Sequence, residues 1–224
     1  MPKTETINQI LNNKVIVIMR GYTLDEGLRA VEAMVAGGIS LVEVTFDQTG
    51  IAPLSVTTDM ISAIAERFDG THGYPRVCVG AGTVMTAEQV SLAAAAGARY
   101  IISPDVNRYV IEETNETSLV SIPGALSPTE AANAYRWGAD FVKIFPAGLM
   151  GPAYIKAVSA PLSHIRFLAV GSVRENNMAE LLNAGALGVG IGAASIASKV
   201  MLAEGNYSEI TRRAARYVEI AKKY

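Results

Sequence analysis

The chain has 224 residues, 50% of them hydrophobic and 18% charged, with 19 Lys and Arg against 21 Asp and Glu. That apolar content argues against disorder and is enough for a full buried core, and a net charge of −2 leaves no cationic surplus to grip nucleic acid or an anionic membrane surface. One cysteine, Cys78, excludes an internal disulfide framework, and two histidines, His72 and His164, argue against a histidine-rich zinc site.

In chain order, Met1 to Glu5 lacks the basic-then-apolar pattern of a signal peptide. A first helix is expected over residues 4–11. Eight short apolar runs then recur at 15–20, 41–46, 77–82, 100–104, 119–125, 141–146, 166–171 and 187–192. Helical segments separate them at 23–36, 53–68, 87–96, 106–116, 128–137, 154–160 and 175–184, and a helix over 207–222 ends the chain. Thr23-Leu24-Asp25-Glu26 and Ser127-Pro128-Thr129-Glu130 read as capping boxes, and Gly97, Gly138 and Gly185 close helices before the return to a strand. The uncharged stretch 181–198 is built mainly of Gly, Ala and Ser, which suits strand and turn better than a membrane span. Eight β-α units at a roughly even pitch predict a closed (β/α)8 barrel whose bottom the N-terminal helix covers, with an open doubly wound sheet as the competitor. No linker or low-complexity tract divides residues 1–224, so one domain is expected, in a soluble cytoplasmic protein.

Barrel enzymes place their chemistry at the C-terminal strand ends, so polar residues there merit scrutiny. Strand alternation in Phe141-Val142-Lys143-Ile144-Phe145-Pro146 puts Lys143 on the same face as Phe141 and Phe145. A lysine there is either satisfied by a neighbouring carboxylate or by solvent, or is a functional amine. Glu43 and Thr45 point inward by the same alternation, Arg20 ends the first strand, and Thr83 follows Gly80-Ala81-Gly82. Together these residue types support imine chemistry. A partly neutral lysine attacks a ketone, the protonated imine withdraws electrons from the neighbouring C–C bond, and a carboxylic acid moves protons. A tension remains, since a close carboxylate favours the charged lysine. Gly171-Ser172 and the glycine-rich run through Gly192 and Ala193 to Ser195 end the last two strands. They either form a backbone phosphate site or simply let the barrel close. The pattern Gly188-x-Gly190-x-x-Ala193 lies too late in the chain to be a dinucleotide fingerprint.

These residues resemble the class I 2-keto-3-deoxy-6-phosphogluconate (KDPG) / 4-hydroxy-2-oxoglutarate (KHG) aldolase family along nearly the whole chain. The similarity runs through V-I-M-R-G (17–21), L-V-E-V-T (41–45), V-G-A-G-T-V (79–84), I-S-P (102–104), I-P-G (122–124), V-K-I-F-P-A (142–147) and F-L-A-V-G (167–171). Gly151-Pro152-x-Tyr154-Ile155-Lys156 is similar to the 2-dehydro-3-deoxy-6-phosphogalactonate branch. The resemblance implies a Schiff-base role for Lys143, acid–base work for Glu43, and a substrate pocket of Arg20, Thr45, Thr83, Pro104, Phe145, Gly171, Ser172, Gly192 and Ala193. It further implies cleavage of a phosphorylated keto-deoxy sugar acid to pyruvate and glyceraldehyde 3-phosphate, no metal or other cofactor, a small keto acid as the partner, and a homotrimer. The chain departs from the family in three places. Asp47 stands where many gluconate-type members carry arginine, Ser172 replaces a common glycine, and Ala193-Ala194 lack a usual hydroxyl. Those changes favour keeping open a 4-hydroxy-2-oxoglutarate or unphosphorylated substrate. A phosphate-binding barrel isomerase, or a keto-acid-binding barrel without turnover, is the reading from another class.

Overall fold

The computed structural model describes residues 2–71 and 73–224, so Met1 and His72 lie outside the described residues. The first helix, α1 (Lys3–Asn13), leads into β1 (Val15–Met19), and units of helix and strand follow through α2 (Leu24–Ala36), β2 (Leu41–Thr45), α3 (Ser55–Arg67), β3 (Cys78–Gly82), α4 (Ala87–Ala95) and β4 (Tyr100–Ile102). The second half continues α5 (Arg108–Glu116), β5 (Val120–Ile122), β6 (Gly124–Ala125), α6 (Pro128–Arg136), β7 (Val142–Ile144), α7 (Ala147–Ser159), β8 (Phe167–Val170), α8 (Met178–Asn183) and β9 (Val189–Gly192). A 3₁₀ turn (Ala193–Ser195), α9 (Lys199–Ala203) and α10 (Tyr207–Ala221) complete it.

All strand pairings are parallel, in the order β5-β4-β3-β2-β1-β9-β8-β7-β6. Among the described residues nine strands make eight staves, because β5 and β6 are one stave interrupted at Pro123, which has no N–H to donate. Its carbonyl still accepts from Lys143 N at 2.8 Å, and Ser121 O accepts from Phe141 N at 3.2 Å, so the ring closes across the break. This is the (β/α)8 barrel expected from the repeat.

Alternation along each strand sorts the side chains into two cores. Val17, Val42, Val79, Ile101, Val142 and Ile191 face the helices. Ile16, Leu41, Cys78, Tyr100, Val120, Phe141 and Leu168 fill the barrel, and Ile10 of α1 plugs it from below. Both expected capping boxes form, at Thr23 with Glu26 and at Ser127 with Glu130. Helix α7 begins earlier than the expected 154–160, directly after Pro146, and bends where Gly151 adopts φ 77° before Pro152. The short helix α9 has no counterpart in the sequence reading. It occupies only five residues, too few to carry a periodic signal.

Tyr100 shapes the interior. Its ring is fully buried, its hydroxyl donates to Val42 O at 2.6 Å, and burial holds the phenol well above its ordinary pKa. The ring lies directly against the Gly80 α-carbon, so any side chain there would run into it. Gly80→Ala is expected to cost about 1–3 kcal/mol as overpacking, measured as a lowered denaturation midpoint. An unchanged midpoint would show that the Tyr100 ring moves aside freely.

Candidate active site

Inward-facing polar side chains meet above the Tyr100 layer. Lys143 is 6% exposed and Glu43 2%, which for two ionisable groups demands an account. Lys143 sits on β7 between buried Phe141 and the rim residue Phe145, with its amine 5.1 Å from the Phe145 ring centroid. Glu43, on β2, lies against the bare α-carbon of Gly82, where a side chain would collide with its carboxyl group. Its Oε2 is buried without a hydrogen-bond partner among the described residues.

Burial pushes the Lys143 amine below the ordinary lysine range, and the Arg20 charge acts in the same direction, while Glu43 and Asp105 oppose it. Burial likewise lifts the Glu43 carboxyl, opposed by Lys143 and Arg20. The tension seen in the sequence is therefore resolved by desolvation. Desolvation shifts each group toward its neutral form, which for the amine favours a free electron pair and for the carboxyl a bound proton.

The rim is a chain of hydrogen bonds. Arg20 Nη2 donates to Thr83 Oγ1 at 2.7 Å, and Gln48 Nε2 donates to Thr83 O at 2.6 Å. Thr83 is held in a left-handed conformation, φ 53°. Gln48 also reaches Gln89 Oε1 at 3.4 Å, an atom that accepts from Met85 N at 2.7 Å. Asp47 turns to its own loop, accepting from Thr49 N, Thr49 Oγ1 and Ala52 N, and the Thr49 hydroxyl in particular holds it below the usual carboxylate range. Thr45 Oγ1 donates to Met19 O at 3.2 Å, so its hydroxyl ties β2 to β1 at the edge of the mouth. Half-buried Pro104 lies against Gly124 on the far side.

The two last loops stand side by side, since β8 pairs with β9. Gly171 (φ 88°) leaves room for the Phe145 ring, which a Cβ would approach to 2.8 Å, so this glycine also supports the aromatic wall over Lys143. Ser172 (φ 55°) accepts from Asn177 Nδ2 at 3.0 Å through its carbonyl. Gly192 faces open space, and Ala193 starts the 3₁₀ turn.

The expected residues thus gather at one end of the barrel. The sequence reading missed Gln48, Gln89 and Asp105. Gln48 and Asp105 each follow a strand within a few residues, which was the available signal. Gln89 lies on α4, where nothing distinguished it from a surface glutamine. Among the described residues no group of three or more His, Cys, Asp or Glu could hold a metal, and no helix is long and apolar enough to cross a membrane.

A family model for KDPG and KHG aldolases matches residues 6–213. The chain belongs to this aldolase family. Family members are carbon–carbon lyases. The chain is 35% identical to 2-dehydro-3-deoxy-6-phosphogalactonate aldolase of Escherichia coli K12 over 179 residues, 80% of this chain and 82% of that one. It is 31% identical to 2-dehydro-3-deoxy-phosphogluconate aldolase of Treponema pallidum over 208 residues, 92% and 93% of the two chains. A solved KDPG aldolase of Legionella pneumophila, with pyruvate captured as a covalent carbinolamine intermediate, superposes with a TM-score of 0.78 at 28% identity, covering 92% of this chain and 94% of that one.

The buried pair has a cost in stability. Because the folded Glu43 carboxyl has a raised pKa, its stabilising contribution is complete in acid and is lost as pH rises through the folded value. Glu43→Gln is expected to remove that decline when denaturation is followed against pH. The double variant Lys143→Met, Glu43→Gln is expected to be more stable than the wild type near neutrality, because neither ionisable group then has to be held out of water. A double variant no more stable than the wild type would show that burying the pair carries no net penalty.

Proposed function

We propose that the protein is a Schiff-base aldolase that cleaves a 2-keto-3-deoxy-6-phospho-sugar acid to pyruvate and glyceraldehyde 3-phosphate. The observation that carries this reading is the burial of the Lys143 amine and the Glu43 carboxyl together in the barrel mouth, where desolvation lowers the pKa of the first and raises that of the second. The carbinolamine reported for the Legionella aldolase supports the same chemistry.

In this mechanism Arg20 and Thr83 receive the C1 carboxylate of the substrate, and Lys143 Nζ adds to the C2 carbonyl to give a carbinolamine. Glu43 delivers a proton to the departing hydroxyl, so water leaves and an iminium–carboxylate pair remains. The Glu43 carboxylate then takes the C4 hydroxyl proton. The C3–C4 electrons move toward the iminium, releasing the aldehyde and leaving an enamine. Protonation at C3 by Glu43 and hydrolysis return pyruvate and the free amine. Phe145, Pro104 and Thr45 bound the pocket. Gly171, Ser172, Gly192 and Ala193 receive the phosphate through backbone N–H groups.

The methyl groups of Ala193 and Ala194 favour a second reading, in which the substrate is 4-hydroxy-2-oxoglutarate or an unphosphorylated sugar acid. Relatives on both the galactonate and gluconate branches have similar identity, which supports assaying both C4 epimers. We further read residues 1–224 as one catalytic domain in a cytoplasmic homotrimer. Exposed Leu126, Leu149 and Met150 support association, and sedimentation of the purified chain tests it.

Borohydride reduction in the presence of pyruvate is expected to leave a stable adduct on Lys143, read by peptide mass. Lys143→Met should yield neither adduct nor retro-aldol turnover while remaining folded; retained turnover would remove the imine mechanism. Glu43→Gln is expected to lower the rate by roughly two to four orders of magnitude, and a wild-type rate would assign Glu43 to structure. Retro-aldol assays with phosphorylated gluconate and galactonate keto acids, their unphosphorylated forms and 4-hydroxy-2-oxoglutarate separate the substrate readings. If only the unphosphorylated compounds are cleaved, the proposed phosphate subsite is overturned.

A further inference from the structure

A second carboxyl group bears on the amine. Asp105 follows Pro104 just beyond β4, and its Oδ1 is sealed from solvent with no hydrogen-bond partner among the described residues. Buried polar atoms without a partner are few in folded proteins, and each needs a reason. Looseness is not the reason here. The Asp105 carbonyl accepts from Ser103 Oγ at 2.8 Å and from Gly124 N at 3.2 Å. Gly124 is itself pressed close, since a Cβ there would lie 2.6 Å from Pro104 O and 2.8 Å from Ser103 O. Gly124 is also the register partner of Lys143. Three neighbouring staves therefore set Asp105, Gly124 and Lys143 at one level of the barrel.

The charges agree with that placement. Burial raises the Asp105 carboxyl, its own backbone N–H and, after that, Lys143 draw it back, and Asp105 in turn supports the proton on Lys143. The other charged groups that bear on Lys143 are Glu43, which favours its cation, and Arg20, which disfavours it. In the resting site no donor among the described residues reaches Asp105 Oδ1. One arises during turnover. When the carbinolamine takes a proton from Glu43 and loses water, the nitrogen becomes an iminium that carries a full positive charge and one N–H. Glu43 gains and loses its proton through the cycle and so is not a constant partner for that charge.

We propose that Asp105 is the standing counter-charge of the iminium formed on Lys143, its Oδ1 accepting the iminium N–H. The inference rests on the Schiff-base reading and adds to it a residue that sustains the cationic intermediate against the nearby Arg20. Asp105→Asn removes the anion at nearly constant size, and Asp105→Glu restores it.

The test is the rate of borohydride trapping with saturating pyruvate across a pH series, with thermal unfolding of each variant as the control for folding. Asp105→Asn is expected to slow trapping about tenfold to a hundredfold, as loss of a hydrogen bond to a charged group does. Its pH midpoint should move to lower pH, because an anion that supports the lysine proton is gone, and Asp105→Glu should recover part of both effects. A wild-type rate and midpoint in Asp105→Asn would overturn the inference while leaving the imine mechanism intact. A slower rate with an unmoved midpoint and a lowered unfolding temperature would assign Asp105 to the fold and overturn it equally. Failure of the wild type itself to form an adduct would remove the Schiff-base reading, and this inference with it.

Discussion

The free-energy cost of keeping an ammonium group out of water organises this molecule. A charged lysine between Phe141 and Phe145 is heavily penalised unless something solvates or neutralises it. Here burial pushes the amine toward its neutral, nucleophilic form. The same desolvation acts in the opposite sense on Glu43, because for a carboxyl group the neutral form is the protonated one. One physical cause therefore prepares both partners, the first with a lone pair and the second with a proton. In the proposed mechanism, the desolvation that makes burying them costly is also what favours these two forms.

The barrel supplies that dryness by local substitution of bulk for absence. Tyr100 fills the space left by Gly80, and Glu43 occupies the space left by Gly82, so alternate residues of β3 admit a floor and an acid in turn. Phe145 completes the wall over the amine and itself depends on Gly171. The glycines near strands three and eight thus act less as hinges than as vacancies into which larger groups fit.

The architecture was legible because it rests on repetition. Eight apolar runs at an even pitch, punctuated by caps and glycines, specify staves and helices whatever the details, and the N-terminal helix was expected at the bottom, where Ile10 plugs the barrel. What escaped was aperiodic. The break at Pro123 splits one stave without altering the alternation of its neighbours, and α9 is too short to show a period. At the site, Lys143 and Glu43 were conspicuous because a charge in an apolar strand violates alternation. Asp105 and Gln48 lie in loops, where polar residues are ordinary. Only three-dimensional burial in one case, and a bond to a strand-end carbonyl in the other, sets them apart. Asp47 shows the reverse: it stands out in the sequence against the arginine of many gluconate-type members, yet its carboxylate turns to three donors of its own loop.

The contact between Arg20 and Thr83 has a consequence for how a ligand enters. The guanidinium and the hydroxyl already hold one another across the open end of β1 and β3, with Gln48 donating to the backbone carbonyl of Thr83. In the proposed mechanism an arriving carboxylate inserts between these two, replacing their mutual hydrogen bond with bonds to its own oxygens. The entropy of assembling this clasp is settled during folding, before any visitor arrives.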